Sequence, residues 1–302
     1  MKVIESDILR GFCSAFKEAK GILSKHNGMN IYRGCTHGCI YCDSRSKCYQ
    51  MEHDFEDIEV KSNAPELLEA SLRSKRNKCM IGTGAMCDPY MHCETELRYT
   101  RKCLEIIDKY GFGAAILTKS AGILRDLDIL RSINEKSKCV VQMTLTTYNE
   151  ELCKILEPNV STTRERFEAL KVFRDNNIPT VVWLCPILPF INDSEENLRG
   201  ILDYCIEAKV YGILCFSMGV TLREGDREYF YKKLDEHFPG LKQKYIRRYG
   251  NSYGVISDNN TALMKIFHSE CNKHGIVSNT EEIFNYLHTY EEKKKNEQLS
   301  MF

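Results

Sequence analysis

From about Met29 to Met218 short β-rich runs alternate with amphipathic stretches, and this alternation limits the possible folds more than any other feature of the chain. The runs are MNIYRG, KCMIGTG, FGAAILTK, CVVQMTLTT, IPTVVWLCPIL and VYGILCFSM. Helical patterns such as Glu94–Tyr110 and Ser194–Ala208 separate them. Strands joined through helices pair in parallel, so the expected class is α/β. Runs such as AAIL and TVVWL suit strands covered on both faces. The count of six strands is two short of a full eight-fold barrel.

Beyond Gly219 the pattern changes. Residues 221–250 are rich in Arg, Lys, Tyr and Phe, and residues 260–290 read as two helices around NKHGIVSNTEE, with Asn279 or Thr280 as a cap for the second. The expected divisions are an N-terminal segment 1–28, an α/β unit 29–218, a mainly helical extension 219–290 and a flexible polar tail 291–302. No run reaches the ~18 apolar residues of a membrane span, and the start of the chain has no secretory h-region, so a cytoplasmic protein is expected. Lys+Arg and Asp+Glu balance at 42 each. A chain-wide electrostatic grip on nucleic acid is therefore not expected, although a local basic strip is compatible with this balance.

Fifteen cysteines in such a chain point to metal binding or catalysis rather than disulfides. Three of them, Cys35, Cys39 and Cys42, stand within YRGCTHGCIYCDSR at C-x3-C-x2-C spacing. A structural zinc normally takes four ligands, usually as two separated pairs, and no second C-x2-C exists in the chain. Packed core cysteines would not be flanked by Gly34, His37, Gly38 and Asp43. Three thiolates on an iron–sulfur cubane would leave one iron open to a substrate.

This loop, with Tyr41 directly before the last cysteine and a strand before the first, resembles the radical S-adenosylmethionine superfamily. The resemblance implies a partial (β/α)6 barrel, a four-iron four-sulfur cluster on Cys35, Cys39 and Cys42, and bound S-adenosylmethionine. It also implies reductive cleavage of that cofactor to a 5'-deoxyadenosyl radical, and an electron donor such as flavodoxin or ferredoxin. On such a fold the site lies at the C-terminal ends of the strands.

The usual Gly-Gly-Glu of the superfamily is absent; GTGAMCDPYMHCE stands in its place. Tyr41, Thr83, Asp88 and Tyr90 are expected near the mouth, Asp88 either accepting from the cofactor's ammonium or ribose or simply closing a turn with Pro89. Lys119, in LTKS with Ser120, would be a costly buried charge unless it met an anion such as the cofactor carboxylate. Arg166, less so Arg164, could hold the same carboxylate in a bidentate fork, or be a solvated helix residue paired with Glu165 or Glu168. Thr144 and Thr146 alternate onto one face of their strand and could meet the ribose.

The longer set N-x-Y-R-G-C-x-H-G-C-x-Y-C-D, DPY, LTKS, LEP…R and PILPFIND is similar to relatives of spore photoproduct lyase, over about residues 25–215. That resemblance implies lyase-like repair of damaged DNA and a cysteine hydrogen donor near Cys87 or Cys93, where a small buried hydrophobe is the plainer reading. A radical enzyme for a peptide or small molecule, and a non-catalytic metal-binding module, remain alternatives. In PGLKQKYIRRYGNSYG, cations interleave with tyrosines, a pattern for stacking bases and tracking phosphates or for an ordinary helix with its tyrosines inward. Finally, Gln298, Leu299, Ser300, Met301 and Phe302 resemble the bacterial sliding-clamp-binding pentapeptide, with Met301 a conservative departure. Clamp binding would raise the effective concentration at DNA without a basic surface.

Overall fold

The computed structural model describes residues 15–293. Eleven strands occur in chain order: β1 Ala15–Lys17, β2 Gly28–Met29, β3 Tyr32–Arg33, β4 Glu59–Lys61, β5 Met80–Thr83, β6 Gly113–Thr118, β7 Cys139–Thr144, β8 Thr180–Trp183, β9 Gly212–Leu214, β10 Gly219–Thr221 and β11 Gly254–Ile256. Six of them form one sheet in the order β2-β5-β6-β7-β8-β9, and every pair is parallel. Each expected run supplies one of these strands. The edge strands β2 and β9 do not pair with each other, which leaves a partial (β/α)6 barrel.

Alternation along the strands separates two cores. Ile81, Ala114, Ile116, Val141, Met143 and Val182 pack outward under the helices. Met80, Ala115, Val140, Val181 and Leu214 point into the lumen and meet Ile283 and Leu287. These last two belong to the helix Thr280–His288, which Asn279 caps by accepting from the Glu282 amide at 3.0 Å. Val277 adds a parallel bridge to Gly212 at the sheet edge, and the chain then turns under the barrel as a plug. Lys138 holds the far end of this plug, donating from Nζ to the Tyr286 carbonyl at 2.9 Å.

Two parts of the fold depart from the sequence reading. The expected helix Glu94–Tyr110 is broken: Glu94–Leu97 and Tyr99–Lys109 meet at Arg98, whose φ is +52°. The buried Glu94 carboxylate takes the Thr100 amide at 2.9 Å and the Arg125 guanidinium at 3.2 Å, which fixes the break. The other departure is a small sheet, β1-β4-β3, that holds the start of the cysteine loop. Past Gly219 the described chain holds four helices, and also the antiparallel ribbon β10–β11. Among the described residues no helix is long and apolar enough to cross a membrane.

Candidate active site

The cysteine loop leaves β3 at Gly34, whose φ is +91°. A Cβ there would stand 2.6 Å from the Phe55 carbonyl oxygen, so only glycine fits. Cys35, Cys39 and Cys42 then line one cleft of about 490 Å³ at the C-terminal ends of the strands. The segment after the helix Glu150–Leu156 clamps the loop from below. The Ile40 amide donates to the Leu156 carbonyl at 3.0 Å, and the Asn159 amide to the His37 carbonyl at 3.2 Å. Asn159 Nδ2 donates to the Thr36 carbonyl at 3.0 Å.

The donor set fits an iron–sulfur cluster. Among the described residues no three His, Cys, Asp or Glu gather closely enough for a single metal ion. Three free thiols facing one cleft are the ligand chemistry of an iron–sulfur cluster. Burial pushes the Cys35 thiol up to about 12, and Asp88 adds to the rise. Burial also drives Cys39 well above the ordinary thiol range, against the lowering effect of Lys119. Thiolates here need a strongly positive partner, which cluster irons would supply.

The remaining expected residues divide by position. Tyr41, Cys87, Asp88, Lys119 and Thr144 line the cleft. Lys119 Nζ stands 3.4 Å from Thr144 Oγ1 and 5.9 Å from the Tyr41 ring centre. Burial lowers its pKa, but the nearby Cys39 and Glu157 outweigh this and raise it, so the ammonium is retained. Asp88 is largely committed to the backbone. Its oxygens accept from the Tyr90 amide at 2.8 Å, Thr118 Oγ1 at 2.7 Å and the Lys119 amide at 2.6 Å. The DPY turn is thereby tied to the end of β6, which is the structural rather than the cofactor-binding role.

Six expectations are corrected. Arg166 does not reach the cleft: it is fully buried, paired with an equally buried Glu157. It also donates from Nη1 to the Thr144 carbonyl at 2.6 Å and from Nη2 to Cys153 Sγ at 3.1 Å. A guanidinium so occupied holds no cofactor carboxylate. Thr146 is buried and points to Glu157 at 3.5 Å. Ser120 lies behind the loop, where its hydroxyl accepts from the Gly122 amide at 3.1 Å. Thr83 lines a lower cavity instead. Tyr90 lies away from the cleft, donating its hydroxyl to Asp126 at 3.1 Å. Cys93 is buried at the start of the helix Glu94–Leu97, away from the cleft. Cys87 does face it, with its thiol donating to the Tyr32 carbonyl at 2.9 Å.

The basic strip takes the inward-tyrosine form at Tyr245 but not at Tyr253, which is exposed. Tyr245 is buried and donates to the Pro189 carbonyl at 2.7 Å, Lys242 pairs with Asp235, and Arg248 pairs with Asp258. Cys48 is exposed, with Arg223 Nη1 at 3.1 Å from its sulfur. The sequence reading missed Trp183, Cys185, Phe216 and the ribbon residues Val220 and Ile256, which all line the cleft. Period-two alternation from Trp183 would have placed Cys185 on the lumen face. The ribbon's position over the mouth has no local signature. The pentapeptide Gln298–Phe302 lies outside the described residues.

Comparison with known proteins agrees with this geometry. An uncharacterised protein of Mycobacterium tuberculosis is 28% identical over 229 residues, covering 73% of this chain and 66% of its own length. An uncharacterised protein of Methanocaldococcus jannaschii is 32% identical over 169 residues, covering 55% of this chain and 62% of its own. The chain thus spans about two thirds of the length of these curated relatives. Among solved structures, a spore photoproduct lyase variant aligns with a TM-score of 0.61 at 14% identity, over 86% of this chain and 78% of the lyase. The lyase complexed with a dinucleoside spore photoproduct aligns with a TM-score of 0.60 at 14% identity, over 86% and 77%. Similarity at that identity establishes a shared fold. Residues 29–202 match the Radical SAM superfamily, more than half the chain, and the chain belongs to that superfamily.

Proposed function

We propose that this protein is a radical S-adenosylmethionine enzyme acting on damaged nucleic acid, with lyase-like chemistry. The observation that carries the reading is the meeting of three unpaired thiols and one retained ammonium, Lys119, in a single cleft at the strand ends. Cys35, Cys39 and Cys42 would hold a four-iron four-sulfur cluster, and Lys119 would meet the carboxylate of S-adenosylmethionine. Together these cofactors supply one-electron cleavage to a 5'-deoxyadenosyl radical. Gly84 opens room beside them: at φ +97° it packs against the Leu117 backbone, where a Cβ would fall 1.8 Å from the carbonyl oxygen. Trp183 and Val220 form an apolar wall beside the reacting centre, with Phe216 and Ile256 exposed at its rim. Cys87 is the better placed of the two expected hydrogen donors. A flavodoxin or ferredoxin would deliver the electron.

A nucleic-acid substrate is supported by the fold shared with a lyase solved with a dinucleoside photoproduct. It is also supported by the exposed aromatic pair Phe216 and Tyr253 near the mouth, with Arg223 5.1 Å from the Tyr253 ring centre. Flat aromatic faces beside a cation suit bases and phosphates. The test is anaerobic incubation of the reduced, reconstituted enzyme with S-adenosylmethionine and ultraviolet-irradiated DNA. Restored thymine is the expected result. Deoxyadenosine release with no change in the DNA would move the substrate to a peptide or small molecule, and no cofactor cleavage would leave a non-catalytic module.

A further inference from the structure

Beneath the cleft the lumen holds a second cavity of about 300 Å³. Ala85, Leu117 and Trp183 line both spaces and so form the partition between them. Small residues create the lower chamber. Gly82 of β5 sits in register with Ala115 of β6, and a Cβ on Gly82 would have no neighbour nearer than 4.0 Å. Below, the plug helix contributes Phe284 and Leu287 as a floor. Around the other sides of the barrel, Met80, Val140, Val181 and Leu214 fill the lumen. The space is therefore local, and its size reaches the lower end of ordinary ligand sites, roughly 300 Å³.

Ser24 and His288 at its edge are spent on the backbone, and two carboxamides keep unspent atoms. Trp183 donates from Nε1 to Gln142 Oε1 at 2.9 Å, which leaves the Gln142 amino group without a protein partner although the residue is only 6% exposed. Asn30 also lines the chamber, and its Oδ1 is buried with no hydrogen-bond partner at all. An orphaned buried carboxamide costs stability unless something completes it. Asn30 opens the N-x-Y-R-G-C motif but takes no part in holding the cysteines, so the cleft gives no role to it.

A carboxamide offers a donor and an acceptor side by side. The complementary edge has an adjacent acceptor and donor, as in the pairing of Asn or Gln with adenine N7 and N6–H, and the ring C=O and N–H of thymine offer the same complement. The indole of Trp183 supplies an apolar aromatic wall for such a ring. We infer that the lower chamber binds a planar, nucleobase-class heterocycle of the substrate through Asn30 and Gln142 against Trp183. This rests on the nucleic-acid reading above and adds a second base position below the reacting one.

Trp183 is the chain's single tryptophan and lies between the two spaces, so its emission reports on both, and the Gly82 variant below assigns the response to the lower one. The reconstituted, cluster-loaded protein is titrated with thymidine, following Trp183 emission and binding heat together. Thymidine is expected to bind and shift the emission, and saturating S-adenosylmethionine is expected not to displace it. 3-Methylthymidine, whose ring N–H is blocked, should bind at least about ten-fold more weakly. Asn30→Leu should weaken thymidine by about the same factor, and Gly82→Leu, which fills the chamber, should abolish binding. Cys48→Ala, outside both cavities, should leave it within about two-fold. A thermal melt and the cluster's visible absorbance confirm that each variant is folded. Absence of thymidine binding, equal binding of the methylated ring, survival of binding in Gly82→Leu, or displacement by S-adenosylmethionine would each overturn the inference. Binding without any thymine restoration from irradiated DNA would instead sink the lyase reading and leave the chamber standing.

Discussion

The Glu157 carboxylate and the Arg166 guanidinium face each other in complete burial, directly under the cysteine loop. Tyr41 donates its hydroxyl to the same carboxylate. The pair therefore couples the helix Thr163–Asp175 to the residue that precedes the last cysteine, and Glu157 belongs to the same short segment that clamps Thr36, His37 and Ile40.

Breaking this pair from one side leaves an uncompensated buried charge, which costs about 3–5 kcal/mol. Arg166→Ala is expected to lower the unfolding free energy by that order in urea and to lose cluster absorbance along with stability. A variant that keeps full stability but binds S-adenosylmethionine poorly would return Arg166 to the cofactor.

The same pair gives a pH dependence. Burial acts to raise the Glu157 pKa, but Arg166, Lys119 and the Tyr41 hydrogen bond outweigh it, and the folded value lies below the ordinary glutamate value. A depressed folded pKa contributes stability above the unfolded value of about 4.3, and that stability is lost as pH falls through the folded pKa. The wild type should therefore lose stability steeply on acidification below about pH 4.3. In Glu157→Gln that limb should be shallower, as read from urea midpoints across the acid range.

Cluster ligation separates the cysteines cleanly. Cys35→Ala, Cys39→Ala and Cys42→Ala should each abolish visible absorbance and cofactor cleavage after anaerobic reconstitution. Cys48→Ala, which touches Ser46 and Arg223 outside the cleft, should retain both. Cofactor cleavage by a Cys39 variant would overturn the ligand set.

With Arg166 removed from the cofactor, Lys119 is the cleft cation left to meet a carboxylate among the expected residues. A charge-assisted hydrogen bond is worth about 1.5–3 kcal/mol, or roughly ten- to a hundred-fold in affinity. Lys119→Ala should weaken S-adenosylmethionine binding by that factor in calorimetry with little change in the melt. Unchanged binding would mean another group holds the carboxylate.

Recruitment to DNA is tested at the tail. Deleting Gln298–Phe302 should abolish capture by a bacterial sliding clamp and leave cofactor cleavage intact. Full-length protein with no clamp affinity at tens of micromolar would remove this route.

The sequence by itself determined the sheet and the grouping of the three cysteines. The strands are short, strongly apolar runs bounded by turns, and the three cysteines share eight residues, so both signals are local. Local signals also found the Asn279 cap and the turn at Asp88, where neighbouring backbone amides are the partners. Tertiary structure decided which polar residues face the lumen and which are spent on each other. Arg166 and Arg164 look alike on one helix, yet Arg166 is buried against Glu157 while Arg164 pairs with Glu168 at the surface. Only packing of that helix against the end of β7 separates them. The plug helix and the ribbon β10–β11 likewise enclose the lumen through contacts between residues far apart in the chain. An unpaired Asn30 or a Gln142 with one amide end free is a property of that enclosure, because it depends on which partners long-range packing fails to supply.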